Sequence, residues 1–231
     1  TGVAIGRRLR PGGRFLSYGH RGSFGYIAQE ALTNFSAPQI AAAAAADVAA
    51  WNQLGCLSPH AFYVEDGGRI PAERFAELLS VELAKVEETQ PRGMLPAETA
   101  AAIANRRAFY EVRAAHSVET RFWFSPQSTA WSVVYETDPQ FQLSCLNRFV
   151  YVKSVRHLTE ALQAADSIRG QVSTVGLAAS EVRAPGLALE LARWGVSRVC
   201  PIGRMQTPQL TWRHDGRPAQ ADLVTWTDWE Q

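Results

Sequence analysis

Residues 51–65, WNQLGCLSPHAFYVE, run from the end of an alanine-rich segment through a glycine and a cysteine into an aromatic, β-branched run. Upstream, SAPQIAAAAAADVAAWNQL reads as a helix with Ser36 at its N-cap, Pro38 in its first turn, strong alanine propensity and Gly55 as the C′ residue. After the loop Cys56-Leu57-Ser58-Pro59, the segment His60-Ala61-Phe62-Tyr63-Val64 predicts a strand. Cys56 is therefore expected on a helix-to-strand turn, at the edge of a parallel sheet where α/β proteins usually place their chemistry.

Working outward, the alternation recurs. Arg14-Phe15-Leu16-Ser17-Tyr18 predicts a short strand leading into the glycine-rich GHRGSFGYI. Helices are expected over 71–88, with Phe75, Leu78, Leu79, Leu83 and Val86 on one face, and from Leu95-Pro96 through Ile103 toward Ala115. The block 120–155 is strand-rich: TRFWFS, TAWSVVYE and RFVYVKSV are separated by the turn signals PQS and DPQ. A helix over 158–168, a strand over 172–177, a helix over 185–194 closed by Gly195 and a strand over 196–200 follow. This βαβ pattern predicts an α/β fold, a mainly parallel sheet flanked by helices with a strand-rich insertion, as one domain over 1–231. The tail, with its HDGRP turn and three tryptophans, reads as a docking arm or terminal hairpin.

A chain of 231 residues, 46% hydrophobic and 19% charged, can bury a sizeable core, and its net charge of +1 argues against a nucleic-acid partner held by bulk electrostatics. Three cysteines form no disulfide framework, which points to a reducing, cytoplasmic setting. The one long run of low polarity, 41–50, is weakly apolar alanine interrupted by Asp47, so neither a membrane span nor a secretion signal is expected. The chain opens without methionine on an amphipathic pattern (Val3, Ala4, Ile5, Leu9), as part of a longer polypeptide would.

Two stretches can carry chemistry. Cys56 follows a glycine that permits close backbone approach, and its neighbours Asn52, Gln53, Ser58 and His60 are polar company unusual for a core thiol. A free cysteine is more often a small buried apolar residue, and a helix C-terminus disfavours a thiolate, so activation has to come from backbone N–H groups, His60 or another segment. In YGHRGSFGY, Gly19, Gly22 and Gly25 recur every third residue; the segment is neither a P-loop nor a dinucleotide fingerprint, and reads either as a basic turn or as a backbone concavity in which His20 and Arg21 suit an anion. Cys145 and Cys200 lie in or near apolar strands, the histidines have no partner at metal spacing, and Trp123 and Trp131 with Phe122 and Phe124 read as sheet core, so no metal is expected.

RFLSYGHRGSFGYIAQEAL, WNQLGCLSPHAFYVE, SCLNRFVYVKSV and VSRVCPIGRMQTPQLTWRHDGRP together resemble the LuxC-type fatty acyl-CoA reductases, a branch of the aldehyde dehydrogenase superfamily. The resemblance spans nearly the whole chain. It implies an aldehyde-dehydrogenase-like catalytic domain in which Cys56 attacks an acyl-CoA or acyl-carrier thioester, forming an acyl-enzyme that hydride from NADPH (or NADH) reduces to the aldehyde. It also implies that the cofactor is bound mainly by a domain upstream of residue 1 and absent from this chain, that the protein is a homo-oligomer, and that acyl-transfer or synthetase proteins are possible partners.

Where oxidising members of the superfamily carry Glu-Leu-Gly-Gly, this sequence aligns Ser17-Tyr18-Gly19-His20. Neither Ser17 nor Tyr18 is a carboxylate, so water attack on the acyl-enzyme is unassisted and the reductive direction fits. SCLNRF falls where the superfamily contacts the cofactor ribose, which makes Asn147 and Arg148 candidates for cofactor or active-site contacts. Two other classes stay open: a Cys–His thiol hydrolase or acyltransferase using His20, His60 or His214 as base, and a non-catalytic interaction domain in which Cys56 is inert.

Overall fold

Near-continuous apolar runs such as FVYVKSV belong to strands covered on both faces, and the chain builds its sheet from them. The computed structural model describes residues 5–8, 15, 19, 21–218, 221–225 and 227–230. Seven strands, β1 (Gly22–Ile27), β2 (Pro59–Glu65), β3 (Thr120–Phe124), β4 (Ser132–Glu136), β5 (Phe149–Val155), β6 (Val172–Ala178) and β7 (Val199–Pro201), form one sheet in the order β3-β4-β5-β2-β1-β6-β7. All neighbours are parallel except β3, which runs antiparallel to β4 at one edge. The strand-rich block is thus continuous with the main sheet: β4 and β5 join it in parallel register and only β3 is reversed.

Alternation along the strands divides the core in two. Phe62 and Val64 of β2 and Val150 and Val152 of β5 face α1 (Ser36–Ala49) and α2 (Ala72–Thr89), where Phe75, Leu79 and Leu83 are buried as their helical spacing predicts. On the other face, Tyr110 of α3 (Ala97–His116) meets Phe149 and Tyr151, while α4 (Leu158–Ala164) and α5 (Ala184–Trp194) cover Phe24, Tyr26 and Tyr63. Gly195, at φ 116°, closes α5 in the left-handed conformation expected of a helix stop. Gly25 is required by packing: a Cβ there would lie 2.2 Å from Cδ1 of Phe62 on the neighbouring strand.

Three expectations are corrected and a fourth is narrowed. The strand near the N-terminus is formed by the glycine-rich segment itself, Gly22–Ile27, while the expected strand over 14–18 lies, apart from Phe15, outside the described residues. Phe35, not Ser36, occupies the N-cap of α1; the Ser36 hydroxyl instead accepts from the Thr33 N–H at 3.0 Å. The helix stops at Ala49, short of Gly55, because Ala50 adopts an extended ψ of 131°. Of the two readings of the tail, the hairpin is absent among the described residues: they form two short 3-10 turns, His214–Gly216 and Ala221–Leu223.

Candidate active site

Beyond the end of α1 the backbone winds left-handed through three non-glycine residues, Trp51, Asn52 and Gln53, at φ 54°, 52° and 63°. Each such residue costs roughly 1 kcal/mol, so the turn must be held from outside. Gln53 holds it. Its buried amide donates to the carbonyls of Pro59 (2.8 Å) and Phe149 (2.9 Å) and accepts the Phe149 N–H at 2.9 Å, pairing with β5 as a strand residue would. Asn52 donates to the Arg92 carbonyl at 3.2 Å.

The loop that follows is pinned from two further sides. The buried Ser23 hydroxyl of β1 donates to the Cys56 carbonyl at 2.7 Å while accepting the Thr174 N–H of β6 at 3.2 Å. Gln206 donates to the Ser58 hydroxyl at 3.2 Å. Gln206 is itself placed by Asp47 near the end of α1, whose buried carboxylate accepts the N–H groups of Gly203 (2.5 Å) and Met205 (3.0 Å). Burial pushes the Asp47 carboxyl up to about 6 despite these donors. Within this fixed backbone the Cys56 side chain is exposed, whereas Cys145 and Cys200 are half-buried and burial raises both thiols, Cys200 to about 11.

Cys56 opens on a cavity of about 400 Å³ shared with Gly19, Gly55, His60 and Ser144. No carboxylate lines it among the described residues. His60 accepts the Ser144 N–H at Nδ1 (3.1 Å), and burial pushes its pKa down to about 4, so the ring is neutral at physiological pH. Arg21 also lines the cavity, but its guanidinium pairs with Asp215 of the tail at 2.8 Å, which ties the HDG turn to the site and leaves the cation already matched. The cavity lies at the starts of β1, β2, β5 and β6. That corrects the expected placement: parallel sheets usually bind ligands beyond the strands' carboxyl ends, and this thiol is at the amino ends. The carboxyl ends of β6 and β7 border a larger, apolar-walled groove of about 790 Å³ at the opposite edge.

The structure thus brings together Gly19, Gly55, Cys56 and His60. Asn52, Asn147 and Arg148 do not line the cavity. Asn147 is buried and donates to the Cys145 carbonyl at 3.5 Å, while Arg148 is a buried clamp on α2 and the loop after it, through Glu87 (2.7 Å) and the Gln90 carbonyl (3.0 Å). Ser17, Tyr18 and His20 lie outside the described residues. Ser23, Asp47, Ser144 and Gln206 were not singled out from sequence; each is a polar residue whose role depends on a partner far along the chain. Among the described residues, no group of three or more His, Cys, Asp or Glu side chains could hold a metal, and no helix is long and apolar enough to cross a membrane.

The family profile described as acyl-CoA reductase (LuxC) matches residues 1–226. The chain belongs to this family. A search of curated proteins finds no match. Among solved structures, the LuxC-family chain is similar to a bifunctional proline utilization A (PutA) protein, at 15% identity and a TM-score of 0.65 over 94% of this chain and 24% of that one. It is similar to 1-pyrroline-5-carboxylate dehydrogenase from Thermus with bound NAD, at 14% identity and a TM-score of 0.57 over 91% of this chain and 42% of that one. It is also similar to an indole-3-acetaldehyde dehydrogenase complexed with NAD+, at 11% identity and a TM-score of 0.60 over 89% of this chain and 44% of that one. The chain therefore has the aldehyde-dehydrogenase catalytic fold and spans from about a quarter to less than half of these proteins.

These structures correct the expected division into a catalytic chain and a separate cofactor domain. The Thermus dehydrogenase carries its NAD in the same polypeptide as the fold matched here. The cavity beside Cys56 is large enough for the flat reacting end of a nicotinamide cofactor. No glycine-rich strand-to-helix turn that could cradle a pyrophosphate occurs among the described residues, so none is assigned to its phosphates.

Proposed function

We propose that residues 1–231 act as one thiol-bearing catalytic unit that takes the acyl group of an acyl-CoA or carrier thioester onto Cys56 for reduction to the aldehyde. The observation that carries this reading is the thiol itself: Cys56 is exposed at the mouth of a cavity, on a loop held by Gln53, Ser23 and Gln206, in a chain of the acyl-CoA reductase family. The sulfur attacks the thioester carbonyl, the departing thiol leaves, and the acyl group rests on Cys56. A bound nicotinamide cofactor, NADPH or NADH, would supply the hydride, and water the proton, that convert this acyl thioester into a thiohemiacetal on Cys56, and cleavage of its C–S bond would release the aldehyde and the free thiol.

The cavity supports the reductive outcome through what it lacks. Hydrolysis of an acyl-enzyme needs a base for water, and no carboxylate lines the cavity among the described residues. His60 is a poor substitute, because its Nδ1 already accepts a backbone N–H. The intact protein, given octanoyl-CoA and NADPH, is expected to oxidise the cofactor and form octanal. Cys56→Ala should lower turnover by at least about a thousandfold, with Cys145→Ala and Cys200→Ala little changed. Release of octanoic acid without cofactor oxidation would instead favour the thiol-hydrolase reading.

A further inference from the structure

β2 and β1 pair in parallel, yet their register jumps: Ser23 faces Pro59 while the next residue, Phe24, faces Ala61. His60 is the extra residue of a β-bulge, a device uncommon between parallel strands that re-aims a side chain beside a site. Its ring turns into the cavity that holds Cys56 and rests edge-on against Phe141, with ring centroids 6.2 Å apart at 72°. Nδ1 accepts the Ser144 backbone N–H at 3.1 Å, with the Ser144 hydroxyl at 3.0 Å. A ring nitrogen that accepts an amide hydrogen carries none of its own, so the proton of the neutral imidazole sits on Nε2. Both hydrogen bonds of the ring to the described residues are made by Nδ1, which leaves Nε2–H as the donor without a protein acceptor among them.

We propose that His60 is a catalytic hydrogen-bond donor, its Nε2–H holding the oxygen of the thioester carbonyl as Cys56 attacks. The proposal rests on the reading of Cys56 as acyl acceptor. Cys56 releases its proton to water at the open mouth of the cavity; its sulfur then bonds to the carbonyl carbon, and the π pair moves onto the oxygen that Nε2–H binds. The pair returns, the bond to the departing sulfur breaks, and the departing thiolate takes a proton from water. His60 keeps its proton throughout. It acts on charge developing at oxygen, not as the base of a Cys–His pair, and Ser144 is the positioning residue that fixes the tautomer.

Two variants separate these roles in the intact protein, with octanoyl-CoA as acyl donor and the acyl adduct on Cys56 as readout. His60→Gln keeps an amide N–H near the position of Nε2–H, and His60→Phe keeps only the packing against Phe141. The acylation rate should fall about 100-fold in His60→Phe and stay within about tenfold of wild type in His60→Gln. Alkylation of Cys56 by iodoacetamide, which builds no charge on oxygen, should be nearly unchanged in both. Alkylation slowed in step with acylation would make His60 a base and overturn the proposal, as would His60→Gln as slow as His60→Phe. Should the phenylalanine variant misfold, ring 15N shifts of wild-type His60 decide: a proton on Nε2 is expected, and one on Nδ1 overturns the assignment. A wild-type protein that forms no adduct overturns the acyl-acceptor reading itself, whatever the variants do.

Discussion

Gln53 fixes a backbone turn that its own residue type disfavours. Its amide satisfies two carbonyls and one N–H in the interior, and through them the left-handed run 51–53 is fastened to the start of β5. Removing the amide takes a donor from the buried carbonyls of Pro59 and Phe149, at about 1–3 kcal/mol each, part of which water entering at the cavity offsets, while the Phe149 N–H keeps its bond to the Leu146 carbonyl at 3.2 Å. Gln53→Ala should therefore lose about 2–4 kcal/mol in urea unfolding. A loss below about 1 kcal/mol would show that the turn is held by other contacts. The same residue shows where sequence reading stops. Asn52, Gln53 and His60 stood out as polar neighbours of a cysteine, but the partner that gives Gln53 its role is Phe149, 96 residues away. Arg148 stood out from a resemblance, and its burial against Glu87 and Gln90 is legible only in three dimensions.

Elements with a complete periodic face were legible, and those ended by distant partners were not. α2 and α3 fall within a residue or two of expectation because their apolar spacing meets the sheet. The end of α1 was misplaced because an alanine run carries no stop signal of its own; the helix ends where Asp47 turns from it to grip the loop 203–206. That grip has a pH signature. The Asp47 carboxyl is raised to about 6 in the fold, so the native state binds its proton more tightly than the unfolded chain. The corresponding stability is fully present below the unfolded value near 3.8 and is lost as pH rises through about 6. Relative to Asp47→Asn, the wild type should lose about 2 kcal/mol of unfolding free energy between pH 4 and pH 7. A difference independent of pH across that window would contradict the buried, protonatable carboxylate.

At the scale of the whole molecule, the βαβ alternation revealed the parallel sheet, but not which of its edges carries the thiol. Helix-to-strand turns belong to the amino edge, opposite the edge where such sheets usually bind ligands, and the site exists because turns before four strands converge there. His60 from β2, Ser144 from the loop before β5, Ser23 from β1 and the tail turn at Asp215 come from widely separated parts of the chain. The family assignment and the exposed thiol lead to one central claim, that Cys56 carries the acyl group. The most direct measurement is peptide mapping by mass spectrometry of the intact protein after incubation with octanoyl-CoA and no nicotinamide cofactor. One octanoyl adduct is expected, on Cys56, that persists until NADPH is added and is then released as aldehyde. An adduct on Cys145 or Cys200, or none under these conditions, would contradict it.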